Sequence, residues 1–133
     1  MNSYQDLLKP YQSISISKET RKKTVSNFKN YFFYKHMRTK KSAKDRNLTY
    51  SLSPEFLKLI FPKDFQCPAL KQKFNFNDRW LTPSLDRINN YIGYEKENVI
   101  WVSQRANSIK NTADANLILK IANYYSSLKN AEN

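Results

Sequence analysis

The stretch that decides the fold runs from Pro83 to Lys110 and has the sequence PSLDRINNYIGYEKENVIWVSQRANSIK. Its apolar and β-branched residues predict two strands, Pro83 to Ile88 and Val99 to Val102, because such side chains pack well on a pleated surface. Ser103 then stands in an N-cap position, which predicts a helix over Gln104 to Lys110. The order strand, loop, strand, helix predicts a small α+β unit at this point of the chain.

The loop between the two predicted strands contains Asn89, Asn90 and Gly93, the single glycine of the chain. Asparagine and glycine adopt positive φ at low cost, so we expect a tight and well-defined loop. On the helix that follows, Asn107 and Lys110 are three positions apart and therefore share one face.

Five short motifs in this part of the chain stand in the order found in the phage-type His-Asn-His (HNH) endonucleases. They are Cys67-Pro68-Ala69-Leu70, Ser84 to Ile88, Gly93-Tyr94, Asn98-Val99, and Arg105 to Lys110. The chain resembles this family from about Asn47 to Tyr125. The resemblance implies an α+β fold with a ββα-metal core over residues 47–128 and flanking helices. A basic, mostly helical arm over residues 1–46 would precede it, and a frayed tail over residues 129–133 would follow.

The resemblance also implies a metal site between a strand end and the helix. Asp86 and Asn107 would be the ligands of one Mg²⁺ or Mn²⁺ ion, a hard cation that takes oxygen ligands and keeps several waters. Such an ion would bridge the scissile phosphate and stabilise the leaving oxygen. Asn98 would order the loop across the ββ connection. The resemblance thus implies four catalytic residues, namely Asp86, Arg87, Asn98 and Asn107.

The general base is where the sequence departs from most of the family. Arg87 stands in the position of the usual His, and Asn89 stands where DRGH-type relatives place theirs, although the phage-type subgroup with LDRI shares the arginine. A guanidinium stays protonated, so Arg87 is a poor base, yet it can bind a phosphate through two hydrogen bonds. The base would then be a hydroxide on the metal ion or one of three side chains: His36, Tyr91 or Tyr94.

Composition restricts the class of protein. A net charge of +12 on 133 residues predicts a polyanionic partner. Double-stranded DNA is the first candidate, and an anionic membrane surface is the second. No apolar run approaches the roughly 20 residues of a membrane-spanning helix, and the start of the chain lacks a secretory signal. We therefore expect a cytoplasmic protein, in the host cell if it is phage-encoded, with no membrane partner and no small-molecule cofactor. One cysteine cannot form an internal disulfide or a zinc knuckle, so no zinc is expected.

A basic segment from Lys18 to Lys44 has Glu19 as its one acidic residue. Phe28, Tyr31 and Phe32 are spaced i, i+3, i+4, which predicts a helix with an aromatic stripe. Its cations either contact phosphates or lie solvated on a surface helix that packs through its aromatic face. The residues predicted to contact DNA, here and in the central unit, are Lys22, Lys23, Lys35, Arg38, Lys40, Lys41, Arg87, Arg105 and Lys110.

The other segments predict the surroundings of the central unit. Arg46 to Leu52 is interpreted as a strand, and Ser53 as the N-cap of a short apolar helix that ends before Pro62. Cys67 is interpreted as a buried thiol rather than a nucleophile. A last helix from Ala115 to about Leu128 is expected to pack its apolar face back on the ββα unit.

These observations support three functions to different degrees. The first is a metal-dependent DNA endonuclease or nicking enzyme that hydrolyses phosphodiester bonds. The alternative is a non-catalytic DNA-binding protein on a decayed HNH fold, which Arg87 in the base position favours. A basic RNA-binding or ribosome-associated protein is compatible with the charge, but the ββα order does not favour it.

Overall fold

The computed structural model describes residues 31–131, and this part of the chain has an α+β fold. Lys22, Lys23 and Phe28, with the rest of the predicted arm before Tyr31, lie outside the described residues. The described helices are α1 (Tyr31–Asp45), α2 (Pro54–Leu59), α3 (Gln104–Lys110) and α4 (Ala115–Ala131). The strands are β1 (Pro83–Arg87) and β2 (Val99–Ser103), with 3₁₀ turns at Arg79–Leu81 and Lys96–Asn98.

The two predicted strands form an antiparallel pair whose register runs from Pro83 opposite Ser103 to Arg87 opposite Val99. Ser103 ends β2 and also caps α3, because its Oγ accepts a hydrogen bond from the N–H of Ala106 at 3.2 Å. The chain therefore passes from strand to helix without a linker, as the sequence predicted. This direct passage fixes α3 beside the sheet.

The core is built around Trp101 of β2, which is 0% exposed. Its ring lies 6.2 Å from Phe32 of α1 and 5.3 Å from Phe61, both in edge-to-face geometry, which is a favourable aromatic arrangement. The indole Nε1 donates to the carbonyl of Leu57 at 2.9 Å, so its polar atom is satisfied. The aromatic stripe predicted for the basic helix is thus a core face.

Two local predictions upstream of the sheet have different outcomes. Ser53 caps α2 as predicted, since its Oγ accepts from the N–H of Phe56 at 3.1 Å. The strand predicted over Arg46 to Leu52 is wrong, because the segment forms one isolated parallel bridge, Tyr50 with Tyr94. The partner segment turns into the 3₁₀ helix at Lys96–Asn98 soon after Tyr94, so the ladder cannot continue. Cys67 is buried, as predicted.

Gly93 is required for space and not for its backbone angle, contrary to the prediction. The described non-glycine residues with positive φ lie outside the loop between the strands, and Gly93 has no positive φ either. A Cβ at Gly93 would lie 2.5 Å from the carbonyl oxygen of Thr49 and 2.8 Å from its nitrogen. Thr49 comes this close because its carbonyl accepts the N–H of Tyr94 at 2.9 Å.

The prediction that the last helix packs back on the central unit is wrong. Four residues of its predicted apolar face are between 44% and 65% exposed, namely Leu117, Ile121, Tyr125 and Leu128. The surface of β1 that α4 would cover is occupied by α3, which bonds to Ser84 and Arg87. The helix continues to Ala131, beyond its predicted end. Among the described residues, no helix combines the length and the apolar character needed to cross a membrane.

Candidate functional site

An open cavity of about 310 Å³ lies where β1 ends beside α3. It brings together three of the predicted site residues, Asp86, Arg87 and Asn107. Arg46 and Tyr94 line the same cavity. Residues distant in sequence therefore meet at one solvent-accessible place.

Asp86 is the carboxylate of this cavity and is 8% exposed. Burial raises its pKa, although the charge of Lys110 and a hydrogen bond from it act in the opposite direction. The Nζ of Lys110 lies 3.3 Å from Oδ1 of Asp86. The ionised carboxylate is thus incompletely compensated, and a further cation would stabilise it.

Asn107, the second predicted ligand, lines the same cavity as Asp86. Its Nδ2 donates to Oγ of Ser84 at 2.8 Å, which orients the amide. Within residues 31–131, Oδ1 of Asn107 has no hydrogen-bond donor, so it remains available as a ligand. A carboxylate and an amide oxygen beside open solvent fit a Mg²⁺ or Mn²⁺ ion that keeps most of its waters. In the same described range, no three His, Cys, Asp or Glu side chains cluster as a metal site, so water would have to complete the coordination.

Asn98 organises the loop without lining the cavity. Its Oδ1 accepts the N–H of Asn89 at 2.8 Å. Its Nδ2 donates to the carbonyls of Gly93 at 2.8 Å, Asn89 at 3.0 Å and Ile92 at 3.1 Å. The buried side chain therefore bonds across the ββ connection, where the resemblance implied a loop-ordering role.

Arg87 donates hydrogen bonds to the loop and also lines the cavity. Nη1 donates to the carbonyls of Asn90 at 2.6 Å and Ile92 at 3.1 Å, and the guanidinium lies 5.6 Å from the ring of Tyr94. Since arginine carries five N–H donors, further donors remain for an anion in the cavity.

The ammonium of Lys110 bonds to oxygens within the fold, whereas the sequence predicts that it contacts DNA. Its ammonium donates to Oδ1 of Asp86 at 3.3 Å, to the carbonyl of Arg87 at 2.8 Å and to Oδ1 of Asn90 at 3.4 Å. These three oxygens match the three protons of the ammonium. Lys110 thus ties α3 to the end of β1, and in this arrangement it is not available to a phosphate.

The three candidate bases lie in different places. His36 does not line the cavity; its Nδ1 lies 2.8 Å from the hydroxyl of Tyr50. Burial lowers the pKa of His36, Lys40 adds to this effect, and Glu55 opposes it. Tyr91 is 98% exposed and also lies outside the cavity. Of the three, Tyr94 is the one that lines it.

Arg46 was missed by sequence analysis. Its Nη2 donates to the hydroxyl of Tyr94 at 2.6 Å, and its guanidinium adds a cation to the lining of the cavity. Arg46 was assigned to a strand and is one of many basic residues in its region. No local sequence signal distinguished it, because the partner is reached through the tertiary fold.

The remaining predicted DNA contacts differ in accessibility. Lys40, Lys41, Arg38 and Arg105 are exposed. Lys35 is turned toward the core, with its Nζ 5.8 Å from the ring of Trp101. Burial, reinforced by the charge of Arg38, lowers the pKa of Lys35 to about 8. Lys35 is therefore better placed to cover the core than to contact a phosphate.

Comparison with known proteins adds one relative. No protein-family model and no solved structure matches the chain. The chain is 32% identical over 96 residues to an uncharacterized protein of Acanthamoeba polyphaga mimivirus. The match covers 68% of this chain but 17% of the viral protein. The chain thus corresponds to a minor part of a much longer relative.

Proposed function

We propose that the protein is a metal-dependent endonuclease that hydrolyses phosphodiester bonds of double-stranded DNA in the cytoplasm. One observation carries the proposal: Asp86 at the end of β1 and Asn107 on α3 line the same open cavity. Their strand, loop, strand, helix setting is the one in which the resemblance to phage-type HNH endonucleases implies a ββα-metal site.

The side chains of the cavity suit phosphodiester chemistry. A divalent cation, when bound by Asp86 and Asn107, would supply Lewis-acid polarisation of the scissile phosphate. Arg87 would hold a phosphate oxygen with the donors that the loop does not use. The hydroxyl of Tyr94 accepts from Arg46, so its own O–H is free to donate a hydrogen bond to a phosphate oxygen of the substrate.

The charge distribution supports a nucleic-acid substrate. The chain carries a net charge of +12, and four of the predicted phosphate contacts, Arg38, Lys40, Lys41 and Arg105, have exposed side chains. Contacts of this kind bind the DNA backbone without reading sequence. They would hold a duplex while the cavity engages one phosphate.

A plasmid-nicking assay tests the proposal. Supercoiled plasmid is incubated with protein and Mg²⁺ or Mn²⁺, with EDTA as the metal-free control. We expect relaxed circles with wild type and at least a hundredfold slower nicking, about 2.7 kcal/mol in the barrier, with Asp86→Asn and with Asn107→Ala. Asn116→Ala, on exposed α4, is the matched control and should nick normally. Nicking by Asp86→Asn at the wild-type rate would overturn the proposal.

The second candidate is a DNA-binding protein without catalysis, which Arg87 in place of the usual His favours. It predicts tight binding with no nicking under any metal. In either case the logarithm of affinity should fall with the logarithm of salt concentration, with a slope of about −0.9 per phosphate contacted. The nicking assay separates the two candidates, and the salt slope tests the DNA surface that they share.

A further inference from the structure

A second cavity, of about 540 Å³, lies between α1 and the segment that follows it. We call it the lysine groove. On α1 its lining residues are spaced i, i+3, i+4 and i+7, which places them on one helix face. The groove is lined chiefly by Met37, Lys40, Lys41, Lys44, Leu48 and Tyr50.

The lining of the lysine groove suits an amphiphilic anion. Met37 and Leu48 give it apolar walls, and the stems of the lysines extend those walls while their ammonium groups stay in solvent. Three lysines and no acidic side chain of the described chain line it. Its volume lies within the roughly 300–1,000 Å³ of small-ligand sites. A nucleotide unit, with a flat apolar base and an anionic phosphate, has this chemistry.

The lysine groove is adjacent to the candidate site. The ring of Tyr50, in the groove, lies 5.9 Å from the ring of Tyr94, in the Asp86 cavity. The two tyrosines also form the isolated parallel bridge. Arg46 lines the cavity while its neighbour Asn47 lines the groove. The contact between Tyr50 and Tyr94 thus connects the linings of the two depressions.

We propose that the lysine groove binds an unpaired nucleotide that flanks the scissile phosphate. The base would lie against Met37 and Leu48, and its phosphate would be held by Lys40 and Lys44. That the neighbouring phosphate is the one cleaved rests on the proposed nuclease function, and the inference adds a substrate class to that function. DNA with a single-stranded flank should bind more tightly than a blunt duplex of the same length.

Disulfide cross-linking locates the flank directly. The one native cysteine, Cys67, is buried, so a cysteine introduced by Met37→Cys is the accessible thiol. The probe is a duplex with an overhang that carries a tethered thiol on its first unpaired base, in EDTA so that nothing is cut. Leu119→Cys on α4 is the control, since Leu119 is 58% exposed and Met37 is 52% exposed. We expect cross-linking at least tenfold faster at position 37, and equal rates would overturn the proposal.

Binding measurements test the lysines. For wild type we expect the overhang duplex to bind about tenfold more tightly than the blunt duplex, because the groove would hold one further base and its phosphate. The double variant Lys40→Ala/Lys44→Ala should lose this preference. Lys63→Ala/Lys120→Ala, which removes two exposed lysines elsewhere, should keep it. An equal loss in both double variants would show general charge attraction and overturn the proposal.

These outcomes are independent of catalysis. If the plasmid assay shows no nicking but Met37→Cys still cross-links selectively, the nuclease proposal fails and the groove remains a nucleotide site. If nicking occurs and cross-linking is unselective, the groove proposal fails alone. The last test measures binding to vesicles of phosphatidylserine and phosphatidylcholine. Loss of vesicle binding in Lys40→Ala/Lys44→Ala with an unchanged overhang preference would assign the groove to a membrane surface and overturn the proposal.

Discussion

Nδ2 of Asn107 donates a hydrogen bond to Oγ of Ser84 at 2.8 Å, and this bond links α3 to β1. The acceptor of this bond, Ser84, is itself buried. It decides which end of the amide remains available for a cation. The hydroxyl of Ser84 on the strand thus sets the orientation of the Asn107 amide on the helix.

We expect Ser84→Ala to weaken Mn²⁺ binding about 10–100-fold, the usual cost of removing a residue that orients a metal ligand. Without the hydroxyl, the amide of Asn107 loses its fixed orientation and can present its NH₂ group to the cation. Isothermal titration calorimetry with Mn²⁺ measures the effect directly. Ser127→Ala is the matched control, because Ser127 is exposed on α4, where its Oγ donates to the carbonyl of Tyr124. Equal affinities for wild type and Ser84→Ala would show that the amide is oriented by other means.

Asp86 should make stability depend on pH in a defined direction. Burial raises its pKa above the ordinary value of 3.8, so the folded protein binds this proton more tightly than the unfolded chain does. The resulting stabilisation is present below the ordinary pKa and is lost as pH rises through the raised one. Relative to wild type, Asp86→Asn should therefore gain free energy of unfolding as pH rises through this window. Urea titrations of both proteins between about pH 3.5 and pH 7 measure the difference.

The same two proteins allow a second comparison at neutral pH. Mg²⁺ should raise the free energy of unfolding of wild type, because a ligand that binds the folded state stabilises it, and should leave Asp86→Asn unchanged. In the pH titrations without Mg²⁺, the opposite result would be a gain in the stability of wild type relative to Asp86→Asn as pH rises. That result would show that Lys110 dominates the environment of Asp86 and that the account of the carboxylate is wrong.

The features that the sequence predicted correctly depend on interactions between residues close together in the chain. The passage from β2 into α3 was predictable because Ser103 caps the helix that directly follows it. The start of α2 was predictable for the same reason, since Ser53 bonds three residues ahead. The α+β class follows from these local signals and from the β-branched run over Val99 to Val102.

What the sequence did not predict depends on distant partners. Arg46 becomes a cavity residue through a hydrogen bond to Tyr94, and the ammonium of Lys110 is held by oxygens of β1 and its loop. Neither partner has a fixed spacing to these residues, so no motif indicates them. The exposed face of α4 is the converse case, because an apolar stripe indicates that a face can be buried but not what covers it.

Gly93→Ala should destabilise the protein by about 1–3 kcal/mol or more, the usual cost of overpacking. The added Cβ would lie 2.5 Å from a backbone oxygen of Thr49, and a backbone atom that is itself hydrogen-bonded to Tyr94 cannot easily move away. Urea unfolding measures the loss. Tyr91→Ala is the control in the same loop, and its effect should stay within about 0.5 kcal/mol because the side chain is exposed. A Gly93→Ala protein as stable as wild type would show that the Thr49 segment yields.

Removal of α4 should cost little stability. A chain that ends at Asp114 loses a helix whose described side chains are exposed except for the half-buried Ile118, so we expect a loss below about 1 kcal/mol. Urea unfolding followed by tryptophan fluorescence is suitable, because Trp101 lies in the core. Leu57→Ala sets the scale, since emptying a fully buried leucine site costs roughly 2–5 kcal/mol. If the truncation costs as much as Leu57→Ala, the face with Leu117, Ile121, Tyr125 and Leu128 is packed in solution, and α4 belongs to the folded core.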